Sequence, residues 1–224
     1  MASTPELLEA VWLGRRAFAP VLEMQLRARD ALVAGEGRPQ LLLVEHPPTL
    51  TLGRRASRSD ILWSEEALAA AGVAVCETPR GGQVTLHAPG QLVAYPVVHV
   101  GRRIRDHLCA LAEAARLLLV EEGVVGAEFR MDHPGLWVGE RKVASIGIHV
   151  SRGVTIQGIA INLAVEPGLF GALVSCGLHG VEVTSAQALA GRAPEVEAAA
   201  RRYAELFAGQ RGAELRWGAA EPAR

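Results

Sequence analysis

The segment from Leu136 to Leu163 sets the tightest limit on architecture. It contains three β-like runs, broken first by Gly139-Glu140 and then by Arg152-Gly153. Two-residue breaks of this composition suit hairpin turns, so the segment predicts an antiparallel meander. Elsewhere the period changes. Between Arg15 and Ala34 the positions Phe18, Val21, Leu22, Gln25, Ala28 and Leu32 follow helical spacing, and Gly35 with Gly37 supplies a stop. Ile104, Leu108, Leu111, Ala115, Leu118 and Leu119 recur at threes and fours up to Gly123, predicting a second long helix lying across the sheet. Pro194 to Ala208 reads as a third, with Val196, Tyr203, Leu206 and Phe207 available for burial.

Shorter elements fill the gaps. Leu41 to Val44 is a continuous apolar run ended by His46-Pro47-Pro48, the pattern of a buried strand. Ser64 caps a short helix from Glu65 to Ala71, Gly72 ends it, and a brief strand follows around Val73 to Val75. From Arg80 to Val100 two β-like runs flank Ala88-Pro89-Gly90, a hairpin or a wide turn, while Pro167 to Ser175 is short and irregular or helical. Hairpin-linked strands with interspersed helices, and no regular βαβ alternation, favour an α+β layer.

Half of the 224 residues are apolar and 21% are charged, enough for a substantial core, and residues 1–224 are expected to form a single domain. The formal net charge of −1 lacks the basic excess that nucleic acid requires. No apolar run approaches the roughly 20 residues of a membrane span, and MASTPELLEA lacks a basic n-region, so a cytoplasmic protein is expected. Cys76, Cys109 and Cys176 are an odd set without zinc-knuckle spacing, which leaves at least one free thiol and suits a reducing compartment.

Two residues stand out chemically. In the run Lys142 to Val150 the even positions Ala144, Ile146, Ile148 and Val150 are apolar, so a period of two puts Lys142 on the buried face. Burial lowers a lysine pKa and an anionic neighbour raises it, which suits proton transfer near neutral pH; the alternative is a strand-end lysine that snorkels to water. Cys176 lies in Val174-Ser175-Cys176-Gly177-Leu178-His179-Gly180, whose glycines permit close approach of another molecule, and it is either a nucleophile or a structural thiol. A nucleophilic thiol needs a nearby cation or base. Lys142 is one candidate; His46, His87, His149 and His179 are others, which would make a Cys-His hydrolase. Arg80-Gly81-Gly82-Gln83-Val84-Thr85-Leu86-His87 is either a tight turn in a sheet or a surface on which a ligand lies against backbone amides, with donors from Arg80 and His87. No Gly-Lys-Ser/Thr follows, so it is not a P-loop.

Taken together, Glu45-His46-Pro47-Pro48-Thr49-Leu50-Thr51-Leu52-Gly53, the Arg80 to Gln91 stretch, Lys142-Val143-Ala144-Ser145-Ile146-Gly147 and Ser175-Cys176-Gly177-Leu178 resemble the octanoyltransferases of the lipoate pathway in order and spacing. The resemblance implies a biotin/lipoate protein ligase-like fold with a mixed, mostly antiparallel sheet and flanking helices. It also implies transfer of octanoyl from acyl carrier protein to a lysine on lipoyl domains of 2-oxoacid dehydrogenase complexes and the glycine cleavage H protein. On this reading Cys176 carries the acyl group as a thioester and Lys142 lowers its pKa. Acyl-binding elements fall on Arg80 to His87 (Arg80, Gly81, Gly82, Gln83, Val84, Thr85, Leu86, His87), on Ser145, Ile146 and Gly147, and on Gly158, Ile159 and Ala160. No cofactor, metal, nucleic acid or membrane is implied, and a monomer is expected. The chain departs from the family pattern at Ala88, at Gln157 where a histidine is usual, at Ile159 and at Ser175. The rival reading is an ATP-dependent lipoate or biotin ligase, which works without a cysteine. Arg54/Arg55/Arg58 and Arg102/Arg103/Arg105 are candidate docking clusters for an acidic carrier protein, or ordinary solvated surface.

Overall fold

Strands joined by tight turns build the 135–162 region in the computed structural model, which describes residues 5–172 and 182–219. β8 (Gly135–Val138), β9 (Arg141–Ser151) and β10 (Val154–Asn162) are consecutive antiparallel neighbours, as the turn residues predict. Arg152 and Gly153 both take positive φ, 52° and 77°, the backbone that a mirror-image hairpin turn needs to follow strand twist.

The large sheet extends both ways from this meander. Past β10 come β6 (Gln91–Val97), β2 (Gln40–Glu45), β1 (Leu7–Arg15) and β12 (Glu214–Trp217); β7 (Ala127–Arg130) forms the opposite edge. β1 runs parallel to both its neighbours, and the other pairs on this path are antiparallel. The two-residue strand β11 (Glu182–Val183) adds to β9 in parallel, with Val183 opposite Lys142. A smaller sheet holds β4 (Ala74–Glu77), β3 (Thr49–Leu52) and β5 (Val84–His87).

Helices cover both faces of the large sheet. α1 (Phe18–Ala34) sets Phe18 and Val21 against Leu42, Val44, Val93 and Tyr95. α3 (Ile104–Glu121), the short α4 (Ala186–Ala190) and α5 (Val196–Arg211) bury Leu111, Leu118, Ala186, Tyr203 and Phe207 against Leu41, Leu43, Leu92 and Ile161 on the other. Successive β2 residues thus alternate between two apolar layers, which is why Leu41 to Val44 is apolar without interruption. Each large side chain buried here contributes about 1.5–3 kcal/mol. α2 (Glu65–Ala70) starts as predicted, with the Ser64 hydroxyl accepting from the Ala67 amide, and its Leu68 joins Leu50 and Leu86 in a separate core under the small sheet.

Several expectations change. Of the two alternatives at Ala88-Pro89-Gly90, the wide turn is the one that forms; β5 pairs with β3 and β6 with β2 and β10, so these residues link two sheets. The Gly90 amide donates to the Glu45 carboxylate at 2.7 Å and the Gly90 carbonyl accepts from Leu163 and Ala164, anchoring the crossover. The first helix begins at Phe18 rather than Arg15, because Leu7–Arg15 is a strand that the sequence reading did not assign. Pro167–Ala172 forms a 3-10 turn, and residues 173–175 lie outside the described residues.

Candidate active site

Where the small sheet meets the large one, a cavity of about 270 Å³ opens, near the lower end of the roughly 300–1,000 Å³ usual for small-molecule sites. The loop before β5 and β5 itself form one wall, with Arg80, Gly81, Gly82, Gln83, Val84, Thr85 and His87. Val93 and Tyr95 of β6 and Gln157, Gly158, Ile159 and Ala160 of β10 line another side. Lys142, Ser145, Ile146 and Gly147 of β9 complete it, with Asp132, His133, Pro134 and Arg55. The structure therefore brings together the predicted acyl-binding residues with one exception. Leu86 packs away from the cavity with Leu50, Leu68 and Val73, because neighbouring side chains on a strand point to opposite faces.

Lys142 is buried, 4% exposed, and does not snorkel to water. The reason differs from the simple alternation argument. On β8 and β9, Leu136 pairs with Ala144 and Trp137 with Lys142, so Val143 is an extra residue, a β-bulge. The bulge shifts the phase of the strand. Val143, Ala144 and Ile146 join the apolar layer beneath α3 and α5, whereas Lys142, Ser145 and Gly147 line the cavity. Lys142 therefore lies out of phase with Ala144. Its amine stands 5.2 Å from the centroid of the Trp137 ring, a cation–π arrangement. Trp137 is held by its indole N–H, which donates to the His133 carbonyl at 3.2 Å.

Gly135 is a residue that motif reading missed. A Cβ there would come 2.6 Å from Cε of Lys142 and overlap the Ala144 carbonyl. Only a hydrogen leaves room for the lysine stem. Gly135→Ala is expected to displace Lys142 and lower turnover about tenfold or more while leaving a folded chain, checked by steady-state rates alongside circular dichroism.

Arg80, 6% exposed, donates through Nη2 to the Thr51 carbonyl at 2.7 Å and the Thr51 hydroxyl at 2.8 Å, and through Nη1 to the Gly81 carbonyl at 3.1 Å. Its stem lies over Gly147, where a Cβ would be 3.1 Å from Cδ. Arg80 thus fastens the small sheet to β9.

Around the inner end, Nδ1 of His46 meets the Arg16 carbonyl at 2.6 Å and so carries the proton; Nε2 accepts from the Tyr95 hydroxyl at 3.0 Å. Burial pulls the His46 pKa down to about 4. His87 donates from Nδ1 to Gln91 Oε1 at 2.8 Å, and Gln91 Nε2 donates to the Leu86 carbonyl and to Asn162 Oδ1. Burial first, then the neighbouring His46, hold the His87 pKa near 3. Both rings are neutral near pH 7, and Nε2 of His46 and Nδ1 of His87 are already committed. His149 is a partly exposed strand residue that does not line the cavity, and its pKa is lowered chiefly by desolvation.

Cys176 and His179 lie outside the described residues, which stop at Ala172 and resume at Glu182. Cys109 is exposed on α3; Cys76 is half-buried beside the α1 layer, and desolvation pushes its thiol pKa up. Of the arginine clusters, Arg55 borders the cavity, whereas Arg102, Arg103 and Arg105 lie at and just before the start of α3, away from it. Among the described residues no group of three or more His, Cys, Asp or Glu is placed to hold a metal, and no helix is long and apolar enough to cross a membrane.

The architecture is that of the lipoate and biotin protein ligases. A lipoate-protein ligase A bound with ATP superposes with a TM-score of 0.77 at 12% identity, over 95% of this chain and 89% of that one. The biotin protein ligase of Leishmania major in complex with biotinyl-5-AMP gives 0.54 at 13%, over 92% and 76%. The family described as "Lipoyl protein ligase A/B catalytic domain" matches residues 19–208. Within it the relatives are more particular: an octanoyltransferase of Desulfovibrio desulfuricans is 40% identical over 87% of this chain and 83% of its own length. One from Roseiflexus sp. is 41% identical over 85% and 81%. The chain belongs to the octanoyltransferases, acyltransferases of protein lipoylation.

Proposed function

We propose that the chain takes octanoyl from a carrier-protein thioester, holds it on Cys176, and passes it to the ε-amine of a lysine on a lipoyl domain. The thiolate of Cys176 attacks the thioester carbonyl and the carrier thiolate leaves, one thioester replacing another at little net free-energy change. The acceptor amine then attacks, its nitrogen loses a proton to Lys142, and Cys176 departs as thiolate. No ATP enters this balance. The observation that carries the reading is the buried Lys142 amine on the cavity wall, in a strand whose next neighbour, β11, begins six residues after Cys176. Apolar surface from Val93, Tyr95 and Ala160 supports an acyl occupant. About six methylenes at ~0.8 kcal/mol each make its burial worth roughly 5 kcal/mol.

Intact mass after mixing with octanoyl-carrier protein tests this. Wild type should gain one octanoyl group without ATP and lose it to an added lipoyl domain. Cys176→Ser should show no thioester, and Lys142→Ala should fail in transfer. Labelling that persists in Cys176→Ser, or that needs ATP, removes the thioester route and favours a ligase.

A further inference from the structure

β6 and β10 pair in one register, from Asn162 opposite Gln91 to Ile159 opposite Ala94. The same offset resumes where the Thr155 amide donates to the Val98 carbonyl at 3.0 Å and Val154 bridges His99. Gln157 must therefore face Pro96, which has no N–H to give. This rung of the ladder is open. Gln157 takes φ of +63°, a left-handed conformation that a non-glycine residue adopts only when its surroundings hold it there.

Two of the groups at that rung find other partners. The Pro96 carbonyl accepts from the Thr155 hydroxyl at 2.8 Å. The Gln157 amide donates not to β6 but to Oε1 of Gln25 on α1, at 2.7 Å, and the Gln157 side chain donates to the same oxygen at 3.2 Å. Gln25 is fully buried on the apolar face of α1, and its Nε2 donates to the Val21 carbonyl at 3.3 Å, which fixes the carboxamide orientation. A buried amide on an apolar helix face persists only where it is fully hydrogen-bonded. The left-handed residue also stands at the cavity, since Gln157 to Ala160 line it. Gly158 fits there because a Cβ would overlap the Ala94 carbonyl and lie 2.8 Å from the Pro96 ring.

We infer that Gln25 is a positioning residue which holds Gln157 in its left-handed conformation, shapes the β10 wall of the cavity, and thereby sets acyl chain-length selection. This rests on the octanoyl-transfer reading for its substrate, but the conformational part does not. Gln25→Met keeps the length of the side chain and removes the acceptor. Gln25→Glu, as the neutral acid, keeps both an acceptor for Gln157 and a donor for Val21.

Two measurements test it. Hydrogen exchange at the Gln157 amide, compared at one pH near 7, needs no activity: it should be slow in wild type, at least tenfold faster in Gln25→Met, and slow again in Gln25→Glu, whose fully buried acid is kept neutral by desolvation. Transfer from six-, eight-, ten- and twelve-carbon acyl-carrier proteins should show KM for the eight-carbon donor raised about fivefold or more in Gln25→Met. Its kcat should stay within about twofold and the length preference should flatten, with Gln25→Glu near wild type. Unchanged exchange, or an unchanged length profile beside active wild type, overturns the inference. An inactive wild type instead sinks the octanoyl-transfer reading, while exchange still decides whether Gln25 holds the turn.

Discussion

Lys142→Met is expected to lower octanoyl transfer about 10²–10⁴-fold with the fold intact, the range seen when a positioned proton carrier is removed. Methionine keeps the length and apolar stem of a side chain that is 4% exposed. What is lost is the amine beside Trp137. Arg80, although also buried and cationic, extends donors to Thr51 and Gly81 and does not supply a mobile proton near neutral pH. Single-turnover transfer to a lipoyl domain, measured across pH, is the check. The variant should be slow at every pH at which wild type transfers. A variant within tenfold of wild type across that range would dispose of Lys142 as the acid/base partner.

Acid should unfold this chain unusually early. His46, His87 and His107 are buried with folded-state pKa values near 4, 3 and 4, against an ordinary value of 6.5. His107 packs edge-on to Phe207 between α3 and α5; desolvation first and then Arg211 lower its pKa, and neither ring nitrogen has a hydrogen-bond partner among the described residues. Because the folded pKa values are depressed, the unfolded chain binds more protons below pH 6.5. Stability is full above that pH and is lost as pH falls toward 4 and 3. Each shift is worth about 3 kcal/mol or more, and three protons give a slope approaching 4 kcal/mol per pH unit, large beside a typical total of 5–15 kcal/mol. Tm should hardly change from pH 8 to 7 and drop steeply from 6 to 4.5. His107→Leu should raise Tm at pH 7, since it removes two unsatisfied nitrogens, and should cut the acid slope by about a third. A flat Tm between pH 7 and 5 would contradict this account.

The elements that were legible have local causes. α1, α3 and α5 carry apolar positions every three or four residues, and the β8–β10 meander is written in Gly139-Glu140 and Arg152-Gly153. β1 and β12 escaped notice because their parallel pairing joins Leu7 to Glu214 across nearly the whole chain, which no local window contains. The choice between a hairpin and a wide turn at Ala88-Pro89-Gly90 was open for the same reason: the turn residues fit both, and the partners of β5 and β6 are distant strands. In the site, the glycine pair, Lys142 and the β9 and β10 motifs were readable. Gly135, Trp137 and Tyr95 were not, since their roles arise from what faces them.

Residue types and their short-range periods were enough to establish an α+β chain, because turns, caps and amphipathic faces depend on near neighbours; acyl transfer was implied only by the resemblance of its motifs to a family. The tertiary structure alone decided that Lys142 faces the cavity instead of the α3 layer, through one unpaired residue opposite β8. It also decided that a glutamine on the buried stripe of α1 accepts from the Gln157 amide, which stands opposite Pro96, 71 residues after Gln25. Phase and partnership across strands depend on register between distant segments, and a period read along one segment carries no record of the residue that will sit opposite.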